Sequence, residues 1–324
     1  MDCSRNVLVF EAAGDGRRFV KGMTVNCKKT GFTIVELLTA VTIIAMLIAL
    51  LIPALAMVRK IAKETQQKAQ ITTIDLALTA FKGDYGDYPP SDGRDPGPPR
   101  GFYSGAQKLA EAMMGQDLMG FHEDSVFRSD LRVDLPGQSN YELYPEGLNP
   151  TPGSDDEENL ESRRGPYLKL ATANAFRLGR TAEHDGLFDD TGVLGRDTYV
   201  LCDVFGIKKI TLADGETAKA GTPILYYKAN TSSKTMRPFP PQDQIYNSND
   251  NMELIRLGRL PEPDPSDQHE LYEDRDLFYD PDDYKIIDPK VKIETGWPHR
   301  PDSYILISAG ADGEYGTSDD IFNF

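Results

Sequence analysis

KKTGFTIVELLTAVTIIAMLIALLIP, residues 28–53, is the stretch from which the rest of the chain can be read. Two lysines and a glycine open it. From Phe32 to Val58 the residues are almost all apolar, 27 positions with a single charge, Glu36. About 20 apolar residues span a bilayer as a helix, so this run is long enough to cross with some tilt. A carboxylate close to one end of such a helix still calls for a partner. Taken alone, the run also fits a plain signal anchor with Glu36 in the headgroup region.

Gly31-Phe32-Thr33-Ile34-Val35-Glu36-Leu37-Leu38 resembles the processing site of type IV pilins and of the pseudopilins of type II secretion. The resemblance implies that a prepilin peptidase cuts after Gly31 and that the new N-terminal residue, Phe32, is methylated. Glu36 becomes the fifth mature residue, the one that meets the N-terminal amine of a neighbouring subunit. Pro53 falls at mature position 22, where many members also carry proline. Charge physics agrees: an ammonium and a carboxylate in hydrocarbon are each costly alone and attract when brought together. Glu36 thus acts as a register device. Lys28 and Lys29 keep the leader cytoplasmic by the positive-inside rule. Cleavage before the apolar segment distinguishes this leader from a secretory signal peptide.

Residues 1–22 read as mixed sequence without a clear period. Met23 opens MTVNCKKTG, a compact basic leader in itself, so the start lies at Met1 or Met23. The expected organisation is a leader over 1–31, a transmembrane helix over 32–58, its amphipathic continuation over 59–82, and a head over 83–324. The whole carries −16; residues 1–31 hold six positive and three negative side chains, so removing them leaves −19. Such acidity argues against unaided binding to nucleic-acid phosphates. Cys3 and Cys27 lie in the leader, which leaves Cys202 with no partner for a disulfide. Four scattered histidines offer no zinc spacing.

Past the membrane run, Ile61, Gln67, Lys68, Ile71, Ile74, Leu78 and Phe81 recur at helical spacing, with no Gly or Pro between Pro53 and Gly83. Pro53 removes one backbone hydrogen bond and is expected to kink or locally melt the helix. Gly83 through Pro90 ends it, and Tyr88-Pro89 resembles the turn found there in major pseudopilins. Ser104 is a candidate N-cap for a helix to Met119 with Ala106, Leu109, Ala110 and Met113 on its apolar face. Between 120 and 196 the signal is poor. Pro145–Glu161, with its acidic run Asp155–Glu158, reads as a solvated loop, and Tyr167–Leu170 as a short strand or turn.

Strands are expected at Thr198–Val204, Lys208–Leu212, Pro223–Ala229 and Tyr304–Ser308, with a turn at Asp214-Gly215. Asp203-Val204-Phe205-Gly206 resembles in part the segment that leads into pseudopilin sheets. Residues 260–283 read as an extended loop, packing through Leu271, Leu277, Phe278 and Tyr279. The fold class is therefore α+β: a long N-terminal helix on a small antiparallel sheet with extended loops.

After Ser308 comes AGADGEYGTSDDI, residues 309–321. A Gly-rich turn brings Asp312, Asp319 and Asp320 together, and three crowded carboxylates ask for a hard cation. Calcium takes about six to eight oxygen ligands and accepts backbone carbonyls. The loop is not an EF-hand but resembles the C-terminal calcium loop of major pseudopilins, which implies Asp312, Asp319 and Asp320 as ligands. A metal-free Asp/Gly turn is the alternative.

No Ser/His/Asp order, phosphate-cradling glycine loop or catalytic carboxylate pair stands out, so an enzyme is not expected. The resemblance implies a filament subunit of a type II secretion-type machine. Its partners are pilin-like subunits, the prepilin peptidase and an inner-membrane platform; it crosses that membrane once, with the head in the periplasm. The head is longer than in the usual major pseudopilin. Alternatives are a type IV pilin for adhesion, motility or DNA uptake, and a membrane-tethered periplasmic binding protein that never polymerises.

Overall fold

The structure, a computed structural model, describes residues 6–10, 20–24, 31–97, 101–145, 147–182, 184–212, 215–237, 243–264, 266–280, 284–291 and 297–324. It divides into two compact units, Met1–Val58 and Arg59–Phe324. In the first, β1 (Asn6–Phe10) pairs antiparallel with β2 (Val20–Thr24), Asn6 opposite Thr24. This hairpin was not expected in the mixed leader sequence, although Val7-Leu8-Val9-Phe10 has the β-branched, apolar character of a strand. Lys28 and Lys29 lie outside the described residues.

Helix α1 (Ile34–Tyr85) contains Pro53. The local melting expected at that proline does not occur, for the helix continues on both sides of it. Every residue from Phe32 to Val58 is exposed. Among the described residues α1 is the one helix whose length and composition suffice to cross a membrane.

From Gln67 onward α1 buries one stripe: Gln67, Gln70, Ile71, Ile74, Ala77, Leu78 and Phe81. Ile61, expected to belong to it, is instead exposed. The two glutamines replace apolar residues because they serve the backbone of the head. Gln67 Oε1 accepts from Val204 N at 2.9 Å, and Gln70 Nε2 donates to the carbonyls of Ala173 and Cys202 at 3.1 and 2.9 Å. The helix also runs past the expected end at Lys82. Gly86, at φ +80°, makes the stop, and the last turn is held by the rings of Phe81 and Tyr85 against Phe121, at 5.2 Å each.

Helix α2 (Gly105–Met114) starts with a capping box: Ser104 Oγ accepts from Gln107 N, and Gln107 Oε1 accepts from Ser104 N. It is buried along its whole length and stops at Gly115, short of the expected Met119. The region with a poor sequence signal is built from small pieces: β3 (Phe121–His122), β4 (Arg132–Leu135), β5 (Gln138–Glu142), α3 (Asp155–Glu161), β6 (Arg163–Arg164), α4 (Leu170–Ala173) and β7 (Ala175–Arg177). Two of these correct the sequence reading. The acidic run is the first turn of α3, not a loop, because Ser154 caps Glu157 N and carboxylates favour a helix N-terminus. Of the strand or turn read at Tyr167–Leu170, the strand does not form; Leu170 begins a helical turn that leads into β7.

The expected strands appear, β8 (Tyr199–Leu201) and β11 (Leu225–Lys228) trimmed at both ends and β9 (Lys208–Thr211) at its last residue, with β10 (Thr217–Ala220) pairing back onto β9. Asp214 lies outside the described residues. Short helices α5 (Met252–Ile255) and α6 (Glu270–Glu273) precede β12 (Tyr304–Ser308) and β13 (Ile321–Phe322). The central antiparallel sheet has the order β11-β12-β13, with Leu225 opposite Ile307 and Ser308 opposite Ile321.

Both faces of this sheet are buried, which follows from the period of two in its strands. Tyr226, Tyr304 and Leu306 pack with α1 and α2 through Ile74, Leu78, Leu109 and Met113. Leu225, Tyr227, Ile305 and Ile307 face the other way, onto Leu271, Phe278 and Tyr315. Of the 260–283 segment, Leu271, Phe278 and Tyr279 are buried as expected and Leu277 partly so.

Candidate functional site

Among the described residues, the candidate groups read from the sequence fall in two places, the start of α1 and the loop after β12. At the start of α1, Ile34 is the first helical residue, so Thr33 is the N-cap and Glu36 the third helical position. Thr33 Oγ1 accepts from Glu36 N at 3.2 Å. In return Glu36 Oε2 accepts from Thr33 N at 2.9 Å and from Thr33 Oγ1 at 2.7 Å. This is a reciprocal capping box. It gives the carboxylate a partner inside its own subunit. The T-x-x-E signature of this box stands in the sequence at 33–36, where the resemblance assigns the glutamate to docking alone. Phe32 is 79% exposed. A Cβ built on Gly31 meets nothing within 4 Å, so nothing in the subunit's own fold demands glycine there. Pro53 leaves the Ala49 carbonyl without its helical donor.

The second place is the loop between β12 and β13. Gly310 lies at φ +72°, and a Cβ there would stand 2.3 Å from the Asp319 carbonyl oxygen, so only glycine closes the turn. Closure brings Asp312 and Asp319 together. The Thr317 hydroxyl lies 3.0 Å from Asp312 Oδ2 and 2.8 Å from Asp319 Oδ1, and Asp319 Oδ2 accepts from the backbone N–H of Ala311 at 2.9 Å and of Asp312 at 3.3 Å. Burial raises the Asp312 carboxyl above its ordinary range, and its hydrogen bond with Asp319 adds to the rise. Burial raises Asp319 too, but the hydrogen bonds from Asp312, Thr317, Ala311 N and Asp312 N outweigh it and leave that carboxyl below its ordinary range.

Asp320 is not brought to the same point. Its side chain turns inward, Oδ2 accepting from Tyr284 Oη at 2.5 Å and from Gly316 N at 2.9 Å. Burial pushes its carboxyl up to about 8. Its Oδ1 is buried without a hydrogen-bond partner. Among the described residues no three His, Cys, Asp or Glu side chains stand as a ready metal-binding group. What the loop does offer a hard cation is the Asp312–Asp319 pair, with the unpartnered Asp320 Oδ1 buried apart from it. That donor set is all oxygen, as calcium prefers.

The family described as the prokaryotic N-terminal methylation motif matches residues 26–52, the signature shared by type IV pilins and pseudopilins. No curated protein and no solved structure matches the chain. Motif and apolar helix together point to a membrane-anchored envelope protein, and the motif implies processing by a prepilin peptidase and polymerisation with pilin-like subunits.

Proposed function

We propose that this chain, which carries the N-terminal methylation motif of type IV pilins and pseudopilins, is a non-enzymatic filament subunit of a type II secretion-type machine. The observation that carries the reading is the intact motif at the head of a fully exposed apolar helix, with Glu36 poised in a cap that a neighbour can replace. Lys28 and Lys29 hold the leader on the cytoplasmic side, and the head lies in the periplasm. Cleavage after Gly31 frees the Phe32 amine. The open space around Gly31 supports a peptidase subsite, rather than the fold, as the reason for glycine.

In the membrane the processed subunit is stored with Glu36 bonded to its own Thr33. During assembly the amine of an adjacent Phe32 takes up that carboxylate and sets the register, while the exposed apolar run from Phe32 to Val58 is covered by copies of itself. A cytoplasmic ATPase, not this chain, drives the extraction. In the same reading Asp312 and Asp319 hold calcium at the surface of the β12–β13 loop, with Asp320 as the inner carboxylate. The ion would neutralise the crowded acids. The secretion role is preferred over a surface pilus because of the Tyr88-Pro89 turn and the Gly310–Asp320 loop.

Mass spectrometry of the mature N-terminus, together with deletion of the chain, tests this. We expect N-methylated Phe32, loss of protein export on deletion, and an uncut leader in Gly31→Val. Met1 or Met23 at the N-terminus of filament-borne protein would refute the assignment. Loss of a cell-surface fibre with export intact would move the subunit to a pilus.

A further inference from the structure

The loop that carries Asp312 and Asp319 is gripped from a second side. Arg259 Nη1 lies 3.0 Å from Glu314 Oε2 and 3.0 Å from Asp267 Oδ1. His269 Nδ1 accepts from Tyr315 N at 3.1 Å, and its ring packs on the Tyr315 ring with centroids 4.6 Å apart. Leu271 N donates to Tyr315 O at 3.1 Å. Farther along, Tyr284 bonds Asp320 and Lys285 Nζ donates to Ser318 O at 2.8 Å. Gly316 shows how close the approach is: a Cβ there would stand 2.8 Å from Leu271 N and 2.9 Å from Glu270 Cβ.

These contacts reach Glu314, Tyr315, Ser318 and Asp320, positions spread along the loop between and beside the two paired aspartates. The anchors are themselves fixed in the core. His269, Leu271, Tyr284 and Tyr315 are all at most 3% exposed. Buried backbone donors and acceptors that lose such partners cost far more than exposed ones, so the grip is cooperative with the core.

We propose that Arg259, His269, Leu271, Tyr284 and Lys285 form a built-in strap that holds the C-terminal loop closed whether or not a cation is bound. In this chain the metal adds stability to a loop that is already shaped. The long excursion after α5 has a job: it replaces dependence on an ion with contacts from the chain itself. Such a subunit keeps β13 paired to β12, and stays competent to pack, when calcium is scarce. The inference does not need the secretion reading, since it concerns only the fold of the Arg59–Phe324 unit.

Hydrogen exchange of the full chain in detergent, with calcium and with a chelator, tests it by following the amides of 311–320. In the wild type we expect these amides to stay protected in chelator. Two variants break the strap: Arg259→Ala with Lys285→Ala, which removes a half-buried and an exposed cation and leaves the core untouched, and His269→Ala, which removes the acceptor of Tyr315 N. Each should exchange about tenfold faster than the wild type in chelator, the effect of losing about one hydrogen bond's worth of closure. Should His269→Ala fail to fold, the double variant decides alone. Loss of wild-type protection on chelation would overturn the proposal, and so would a double variant as protected as the wild type.

Discussion

Replacing Asp319 by Asn separates the two things its carboxylate does. As an acceptor it holds the backbone of Ala311 and Asp312, and the Asn side-chain oxygen can keep that. As a charge it stands beside Asp312 across one shared hydroxyl. Asp312 is exposed and Asp319 partly so, hence their repulsion is screened to on the order of 1 kcal/mol. Without calcium, Asp319→Asn should therefore be neutral or slightly stabilising. With calcium the sign reverses, because the variant loses a ligand. Binding to the folded state alone contributes about 2.7 kcal/mol at one hundred times Kd. For a unit of this size that is a rise in Tm of about 5–10 °C.

Thermal melting of the full chain in detergent, with calcium, magnesium or chelator, reads both effects. The wild type should rise with calcium and little with magnesium, which wants a tighter octahedral shell. Asp319→Asn should lose most of that rise while melting no lower than the wild type in chelator. Asp156→Ala, in the acidic first turn of α3, should respond like the wild type. A melt indifferent to calcium, or a calcium response that survives in Asp319→Asn, would show that the loop is a turn held by its own bonds.

Glu36→Leu should insert into the membrane as well as the wild type, since it removes a charge from an apolar helix, yet filament yield should fall because the neighbouring amine loses its carboxylate; normal yield would count against the register role. His269 sits at about 4, below its ordinary 6.5, because burial disfavours the charged ring, while Arg259 adds to the depression and Gly258 and Asp267 oppose it. A depressed histidine binds fewer protons folded than unfolded, so its contribution is present above about pH 6.5 and is lost as pH falls toward 4, about 3 kcal/mol in full. Denaturant titrations of His269→Asn should show a flatter loss of stability across that window, and an unchanged slope would remove His269 as its cause.

How far the chain could be read from sequence depended on whether a residue's partner was near in sequence and on whether its neighbours disguised it. Phe32–Val58 needs no partner within the chain, so its apolar run announced it. Tyr304–Ser308 was read to the residue because both faces of β12 are buried and five successive positions show it. Gly310 and Asp319 lie nine residues apart, close enough for the closing loop to be anticipated. The inward turn of Asp320, right beside Asp319, is not legible in the same way: nothing in a run of acids says that one of them reaches a tyrosine 36 residues upstream. The same disguise hid α3, where four acids suggested solvent and the serine before them was overlooked.

Gln67 falls on the stripe that the spacing predicts, but what it and Gln70 do there escapes the sequence for a related reason. On a helix face, glutamine reads as the polar side, yet here the two amides bond to backbone of the head more than 100 residues away and must be buried to do so. The strap is the extreme case. Its composition, rich in Pro, Asp and Glu, is that of a surface loop, and most of its residues are solvated as expected. What makes it structural is a handful of groups, His269 and the Leu271 amide above all, whose partner Tyr315 lies more than 40 residues downstream. A buried neutral histidine accepting a backbone N–H cannot be told in sequence from an exposed one; it is the desolvation imposed by Leu271 and Tyr315 that gives the bond its weight. Where a bond's strength comes from what surrounds it rather than from the residues that make it, spacing and composition carry no trace of it.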